Sequence, residues 1–420
     1  MKDLILHESP NLKSLTDLFE NKGLNALLAI LNQDGEEARI AGGAVRNALM
    51  RESISDVDIA TTALPQEVQK RAQAMGFKVA PTGIEHGTMT VVADGEAFEV
   101  TTLRADVKTD GRHAEVVFGR DWLADAQRRD FTINGLYADQ SGNVIDLVGG
   151  LADLASRTLR FIGDAESRIR EDHLRILRFF RFFAWYGNGR PDAEGLKACA
   201  RLKDCVLKLS AERVWAELRK LLSAPDPSRA LLWMRTAGVL SVALPESEKW
   251  GIDAVHGLVA AERDLGWEPD PLLRMSAIIP PSPERVSTLS DRLKVSNAER
   301  ERLEAWAAAE LPIHDLDNRL LGRLLYRGGK AGMADRLRLA LASSRSKAAH
   351  DDAEMIKAAG YARMLDFLTT WTKPDFPVSG ADLLAKGMMA GPALGKALTA
   401  LEEKWAGSDF TLSKAELLKS

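Results

Sequence analysis

Apolar and polar residues change period partway along the chain. Before about residue 150 they run in short stretches with the period of two that gives a strand one buried face. Asp56-Val57-Asp58-Ile59-Ala60 is the clearest, and residues 88–93 and 97–103 are two further strand candidates. Ile40-Ala41 closes another apolar stretch, meets Gly42-Gly43, and gives way to good helix formers over residues 44–50. Pro65 stands where a first helical turn tolerates it, and that helix is expected to stop near Gly76. Residues 105–115 turn polar (Asp106, Lys108, Thr109, Asp110, Gly111, Arg112) and predict a mobile loop.

After Leu159 the strand pattern fades, and Leu, Ala, Arg and Glu recur at helical spacing. Residues 172–186 predict one long helix ended by Gly187-Asn188-Gly189, and residues 211–222 another with Ser210 as its N-cap. Proline-rich breaks at 224–227, 279–283 and 372–374 divide the helical part. The fold class read from this pattern is α+β, with a small mixed sheet in front and a long helical body behind.

Composition bounds this picture. At about 150 residues per domain, a chain of 420 residues suggests two to four packed units, and 45% hydrophobic residues suffice for real cores. Lys+Arg 56 against Asp+Glu 60 gives a net charge of −4, which excludes a protein that coats nucleic acid by bulk charge but leaves room for a local basic groove. Cys199 and Cys205 fit neither a disulfide framework nor CxxC spacing. The first residues lack the features of a signal peptide, and no apolar run reaches the length of a membrane-crossing helix. The expectation is a reduced, cytoplasmic protein with no membrane partner.

The chemistry concentrates in two places. Gly42-Gly43-Ala44-Val45-Arg46 lies between a strand and a helix, where glycine lets backbone N–H groups approach a phosphate and Arg46 can add a fork of donors. Ten residues on, Asp56 and Asp58 are expected on one face of a strand, about 7 Å apart, a spacing that suits a pair of Mg²⁺ ions held against substrate phosphates. A glycine turn and a solvated acidic strand are each ordinary alone; together, in this order, they point to phosphate and metal. Glu99, between Phe98 and Val100, is positioned to be a third carboxylate or an exposed strand residue. Arg128-Arg129 falls at a helix end, where it complements the dipole or binds phosphate. The second place is Glu171–Phe182 (EDHLRILRFFRF), in which Asp172, Arg175, Arg178 and Arg181 recur every three residues. Between Ser156 and Arg181 seven arginines face four acidic residues, although the same arginines also suit the solvated side of an amphipathic helix.

These blocks, with PTGIEHGT, FEVTTLRADVKTDGRHAEVVF, RRDFTINGLY, IDLVGG and SAERVWAELRKLL, resemble the class II tRNA nucleotidyltransferase and bacterial poly(A) polymerase family from about Ile40 to Leu222. The resemblance implies a polymerase-β-like nucleotidyltransferase head (1–155), a helical neck (156–223), a helical body (224–330) and a helical tail (331–420) that binds tRNA. It implies attack of an RNA 3′-hydroxyl on the α-phosphorus of CTP or ATP with release of pyrophosphate. Asp56 and Asp58 would be the metal ligands and, with Glu99, the catalytic acids. Gly42, Gly43, Arg46 and Arg129 would bind the triphosphate. Asp172 and Arg175 would read the base, supported by Arg178 and Arg181. Cytosine and adenine both present an amino donor beside a ring-nitrogen acceptor, which a carboxylate and a guanidinium complement, whereas uracil and guanine reverse that pattern.

Asn47 departs from the family's usual Asp. His256, His314-Asp315 and His350-Asp351 are scattered among helical segments, unlike the metal set of the family's phosphohydrolase appendage. The leading expectation is CCA addition to tRNA, favoured by Asp110-Gly111-Arg112-His113 in a full-length version of the loop the family uses when switching from C to A. Poly(A) polymerase and A-only or CC-only addition are the alternatives within the family, and an inactive RNA-binding protein is the alternative outside it. Arg213, Lys220 and residues 336–345 are candidates for gripping RNA; the oligomeric state is not legible.

Overall fold

The computed structural model describes residues 4–6, 12–83, 87–110, 113–247 and 252–419. They pack as two compact units, Met1–Ser210 with Trp233–Ala243, and Ala211–Leu232 with Leu244–Ser420.

The first unit is built on the strands β1 (Leu4–Leu6), β2 (Ala38–Ala41), β3 (Asp58–Thr61), β4 (Lys78–Gly83), β5 (Thr88–Ala93), β6 (Glu96–Thr102), β7 (Arg104–Asp110), β8 (His113–Phe118), β9 (Leu136–Ala138) and β10 (Val144–Asp146). Eight of them form one mixed sheet in the order β1-β10-β9-β2-β3-β6-β5-β4, in which β3 and β6 run parallel and the other neighbours antiparallel. Helices α1 (Leu12–Phe19), α2 (Lys22–Leu31), α3 (Gly43–Met50) and α4 (Pro65–Ala74) supply Leu15, Leu27, Leu28, Val45, Leu49 and Val68 to a core shared with Ile40, Ile59, Val91, Phe98 and Val100. On the other face, α5 (Trp122–Gln127) brings Trp122 and Ala126 against Ala41, Ala60 and Tyr137. That second layer stops short of β5 and β6, whose alternate residues, Glu99 among them, face solvent. Pro65 is the first residue of its helix, as its missing N–H favours.

The polar stretch 105–115 is not a loop throughout: β7 and β8 pair as a separate two-stranded ribbon, from Arg104 opposite Phe118 to Asp110 opposite His113. Polarity along the chain reports lack of burial, whereas a ladder needs only backbone partners. Gly111 and Arg112, the middle of the expected C-to-A loop motif, lie outside the described residues.

Behind the sheet, α6 (Gly150–Ala155), α7 (Ala165–Glu171), α8 (Arg175–Tyr186) and α9 (Ala193–Arg201) belong to the same unit. α8 is anchored by aromatic packing: Phe161 stacks on Phe179 at 5.4 Å, and Phe131 lies 5.2 Å from Phe182. The contact boundary falls at Ser210, within the neck (156–223) that the resemblance implied.

The second unit is helical among its described residues and begins with α10 (Ala211–Leu222), which has the expected bounds. Its core holds a buried ion pair, Arg274 with Glu262 (2.6 Å), and Arg274 also donates to the Leu222 and Ala224 carbonyls. Of the residues expected to grip RNA, Arg336 donates to the Ala309 carbonyl, Arg338 pairs with Asp335 and Arg345 with Asp264. No helix among the described residues is long and apolar enough to cross a membrane.

Candidate active site

The turn between β2 and α3 requires glycine. Gly42 has φ +64° and ψ −113°, and a Cβ there would come within 2.9 Å of Arg129 Nη1. Its N–H donates to the Leu136 carbonyl (2.8 Å) and its carbonyl accepts the Arg46 N–H (3.0 Å), so strand and helix join directly. The N–H groups of Gly43, Ala44 and Val45 are left without helical partners, an arrangement that attracts anions.

Ala41, the last residue of β2, pairs with Asp58, the first of β3, and Asp58 is in register with Glu99 on the parallel neighbour β6. Phe98 and Val100 are buried in the core on either side of Glu99, and Ile59 is buried after Asp58. Alternation therefore sends the Asp58 and Glu99 carboxylates out together on the opposite face. Asp56 does not share that strand, contrary to expectation. The ladder cannot extend past Asp58, because the next partner on β2 would be Gly42, where the chain turns away. Asp56 sits in the exposed lead-in, accepting from Ser55 Oγ at 3.0 Å. It still acts on Asp58, whose carboxyl is raised above the ordinary Asp range. Packing against one side of it removes water first, Glu99 and then Asp56 add repulsion, and Arg129 opposes them.

Arg129 follows the end of α5, as expected. Its guanidinium is held by Asp125 (3.3 Å) and the Asn134 carbonyl (3.4 Å) and lies 5.2 Å from the Tyr137 ring centre. Asp125, 1% exposed, also receives Arg128 (2.6 Å) and the Tyr137 hydroxyl (2.7 Å). Burial alone would raise its carboxyl, but the two guanidiniums and the phenol outweigh that and hold it low. Arg129 is thus a fixed cation touching the glycine turn on one side and sensed by Asp58 on the other.

Arg46 is placed differently from the outward phosphate fork the sequence suggested. It is 6% exposed, and its donors go to protein oxygens of Asn47, Asn134 and Tyr186. Asn47 also donates to the Ser53 carbonyl (2.8 Å), tying α3 to the segment that leads to Asp56.

The residues expected on one helix at 172–186 are divided. α7 ends at Glu171, Asp172 is extended (φ −148°, ψ 109°) with Oδ1 accepting from the Leu174 N–H at 3.1 Å, and α8 starts only at Arg175. This side chain-to-backbone bond two residues on makes an Asx-type turn that interrupts the helix. Arg175 Nη1 is held by Glu171 (2.5 Å) and the Arg168 carbonyl (2.9 Å), and Nη2 by the Arg128 carbonyl (3.3 Å). Arg178 donates twice to Asp130 Oδ2, at 2.7 Å through Nε and 2.5 Å through Nη2. Asp130 also accepts from Asn134 Nδ2 and the Phe131 N–H, and these partners outweigh burial and hold its carboxyl low. Arg181 lies over the Phe182 ring at 4.1 Å.

Asn134, Tyr186, Asp125, Asp130 and Glu171 were not singled out from the sequence. Asp130 and Asn134 stand inside the RRDFTIN string, but nothing in their spacing names Arg178 or Arg46 as partners 48 and 88 positions away. A cavity of about 810 Å³ in the same unit is lined by Arg160, Arg168, Lys197 and Arg201 and by as many acids, with none of the site carboxylates on its wall. Among the described residues, no three His, Cys, Asp or Glu side chains close into a ready metal cage.

The chain matches the model of the poly(A) polymerase head domain over residues 38–160 and that of a probable RNA- and SrmB-binding site of polymerase A over residues 190–250. It is 34% identical over 415 residues to the mitochondrial CCA tRNA nucleotidyltransferase 1 of Mus musculus, covering 98% of this chain and 91% of the relative. It is 32% identical over 381 residues to the CCA-adding enzyme of Streptococcus pneumoniae, covering 90% of each. Among solved structures it is similar to the Bacillus stearothermophilus CCA-adding enzyme in complex with CTP (TM-score 0.67, 28% identity, 96% of this chain and 94% of the other). The fold is also shared with the Thermotoga maritima CCA-adding enzyme complexed with tRNA (TM-score 0.65, 18% identity, 98% and 95%).

Proposed function

The chain belongs to the CCA tRNA nucleotidyltransferase family, and from that premise we propose that it adds C, C and A to the 3′ end of tRNA from CTP and ATP, releasing pyrophosphate. The observation that carries the catalytic reading is the register of β3 on β6. It puts Asp58, the first residue of β3, beside Glu99 in the middle of β6, next to a glycine turn and a fixed Arg129.

The family implies a divalent cation, which we take to be Mg²⁺. The donor set fits one: carboxylate oxygens of Asp56 and Asp58 are the ligands a hard cation takes, and phosphate oxygens and water can complete its shell. Asp58 is raised first by burial and then by repulsion from Glu99 and Asp56, and such a charge would relieve the repulsion. Such a cation, when bound, would neutralise charge on the phosphates and lower the pKa of the attacking hydroxyl. The protein's part is to position and to hold charge. The first-turn N–H groups of α3 and the Arg129 guanidinium bind the triphosphate, and Glu99 is placed to take the proton of the RNA 3′-hydroxyl as it attacks the α-phosphorus.

Asp172 and Arg175 are proposed as the base readers. Glu171, Arg168 and Arg128 fix the Arg175 guanidinium through three of its N–H groups, which leaves Nε–H and one Nη2–H for a ring nitrogen of cytosine or adenine. A cytoplasmic location belongs to the proposal and is tested by fractionation.

The activity is tested by incubating the purified chain with Mg²⁺, CTP, ATP and tRNA lacking its CCA end. Extension by three nucleotides is expected. Long A tracts would make it a poly(A) polymerase, a single A or two C residues a partial adder, and retained tRNA binding without extension an RNA-binding protein.

A further inference from the structure

Arg46 is a buried cation whose hydrogen-bonding partners are all neutral. Nε and Nη2 donate to Asn47 Oδ1 (3.1 and 2.8 Å), Nη1 to Asn134 Oδ1, and Nη2 also to the Tyr186 hydroxyl (2.8 Å). The guanidinium carbon stands 3.9 Å from the Tyr186 ring centre and 5.3 Å from that of Phe182. Burial pulls the guanidinium's pKa down, and Tyr186 is the first of the groups that restore it. The carboxylate that acts on it, Asp130, is already engaged by Arg178, whose Nε and Nη2 both donate to its Oδ2.

Neutral oxygens satisfy the N–H groups without cancelling the charge, as a paired carboxylate would. Its field therefore persists beyond the cage, and the cage lies against the phosphate turn: a Cβ on Gly43 would be 3.7 Å from Arg46 Nη2. An unneutralised charge so close acts on a polyphosphate without touching it. Tyr186 is the part of the cage that comes from α8, the helix carrying Arg175, Arg178 and Arg181.

We propose that Tyr186 is a positioning residue for nucleotide binding: it holds Arg46 as a fixed, uncompensated cation behind the Gly42-Gly43 turn and so strengthens capture of the triphosphate, whichever base it carries. This rests on the reading of the turn as the triphosphate site.

The test is steady-state kinetics of Tyr186→Phe and Tyr186→Leu on tRNA lacking CCA, with CTP and ATP varied separately and tripolyphosphate as competitor. Losing only the hydroxyl should raise both KM values about fivefold. Losing the ring as well should raise them at least about tenfold, with the Phe variant intermediate. The tripolyphosphate inhibition constant should rise in parallel, kcat should change far less, and the CTP-to-ATP preference should stay constant. Unchanged KM values with a lowered melting temperature would make Tyr186 a structural residue only and overturn the proposal, as would a defect confined to one nucleotide. No extension by the unaltered enzyme would instead overturn the reading of the site itself.

Discussion

The two charged regions of the site are built in opposite ways. On β3 and β6, Asp58 and Glu99 stand next to each other with like charge, and neither forms a salt bridge among the described residues. On and before α8, the arginines are held by protein: Arg178 by Asp130, Arg175 by Glu171 and two carbonyls. Repulsion left in a fold is costly unless something absent from the free protein relieves it. We therefore propose that the acids are where a ligand's charge acts, and that the arginines are first a scaffold that fixes where a base or phosphate can sit. Asp58→Asn is the sharpest way to break this contrast. It removes one of the three repelling charges, so the fold should be unharmed or slightly stabilised. Nucleotide addition should fall about 10³-fold or more, the loss of several kcal/mol of transition-state charge stabilisation. A gel-shift assay should find tRNA binding retained. Undiminished turnover would remove these acids from the chemistry.

The arginine side of the contrast predicts the reverse. Arg178→Met leaves Asp130, 8% exposed, charged and without its main partner. Breaking such a pair costs about 2–3 kcal/mol once the partial exposure of Arg178 is discounted. The variant should unfold at lower denaturant, and Asp130→Asn added to it should recover much of the loss. The same carboxylates set an acid limit. Asp125 and Asp130 are held below the ordinary value of about 3.9 in the folded state, so the unfolded chain takes up protons first. Their stabilisation is complete above that pH and disappears as the pH falls through the depressed values. Melting temperature should fall steeply below about pH 4, and less steeply in Asp130→Asn. A flat acid profile would mean these pairs contribute nothing.

What could be read from the sequence follows the same division. Glu99 between Phe98 and Val100 has only one arrangement on a half-buried strand, so its exposure was legible from alternation. Gly42-Gly43 before a run of helix formers likewise announced a turn at a helix start. Asp56 misled because Asp56-Val57-Asp58 continues the period of the strand. The strand ends where its neighbour β2 turns at Gly42, a limit set by a residue on another segment. Asp172 misled because its helical spacing to Arg175 is real, whereas its own side chain prefers to close a turn on Leu174. The cage around Arg46 was invisible for a stronger reason: Asn134 and Tyr186 are 88 and 140 positions away, and only the packing of Phe131, Phe161, Phe179 and Phe182 brings them in.

Asp172 gives the smallest expected effect and the finest test of the contrast, because it lies between the two regimes. It is a carboxylate, as on β3, yet its backbone is fixed by a turn and its neighbour Arg175 is held by three protein contacts. If it reads the base, its task is to accept from the amino group that cytosine and adenine share. Uracil would set a carbonyl oxygen against it, and two facing acceptors cost about 1–3 kcal/mol. Asp172→Ala should therefore lose little with CTP and gain with UTP, narrowing the preference about tenfold in single-turnover assays. Because Ala also removes the bond to the Leu174 N–H, Asp172→Asn separates the two roles. Its amide oxygen can keep the turn while its NH₂ donates to the uracil carbonyl, so it should accept UTP better than the Ala variant does. Equal losses for every nucleotide in both variants would return Asp172 to the scaffold, and base choice would have to reside elsewhere on α8.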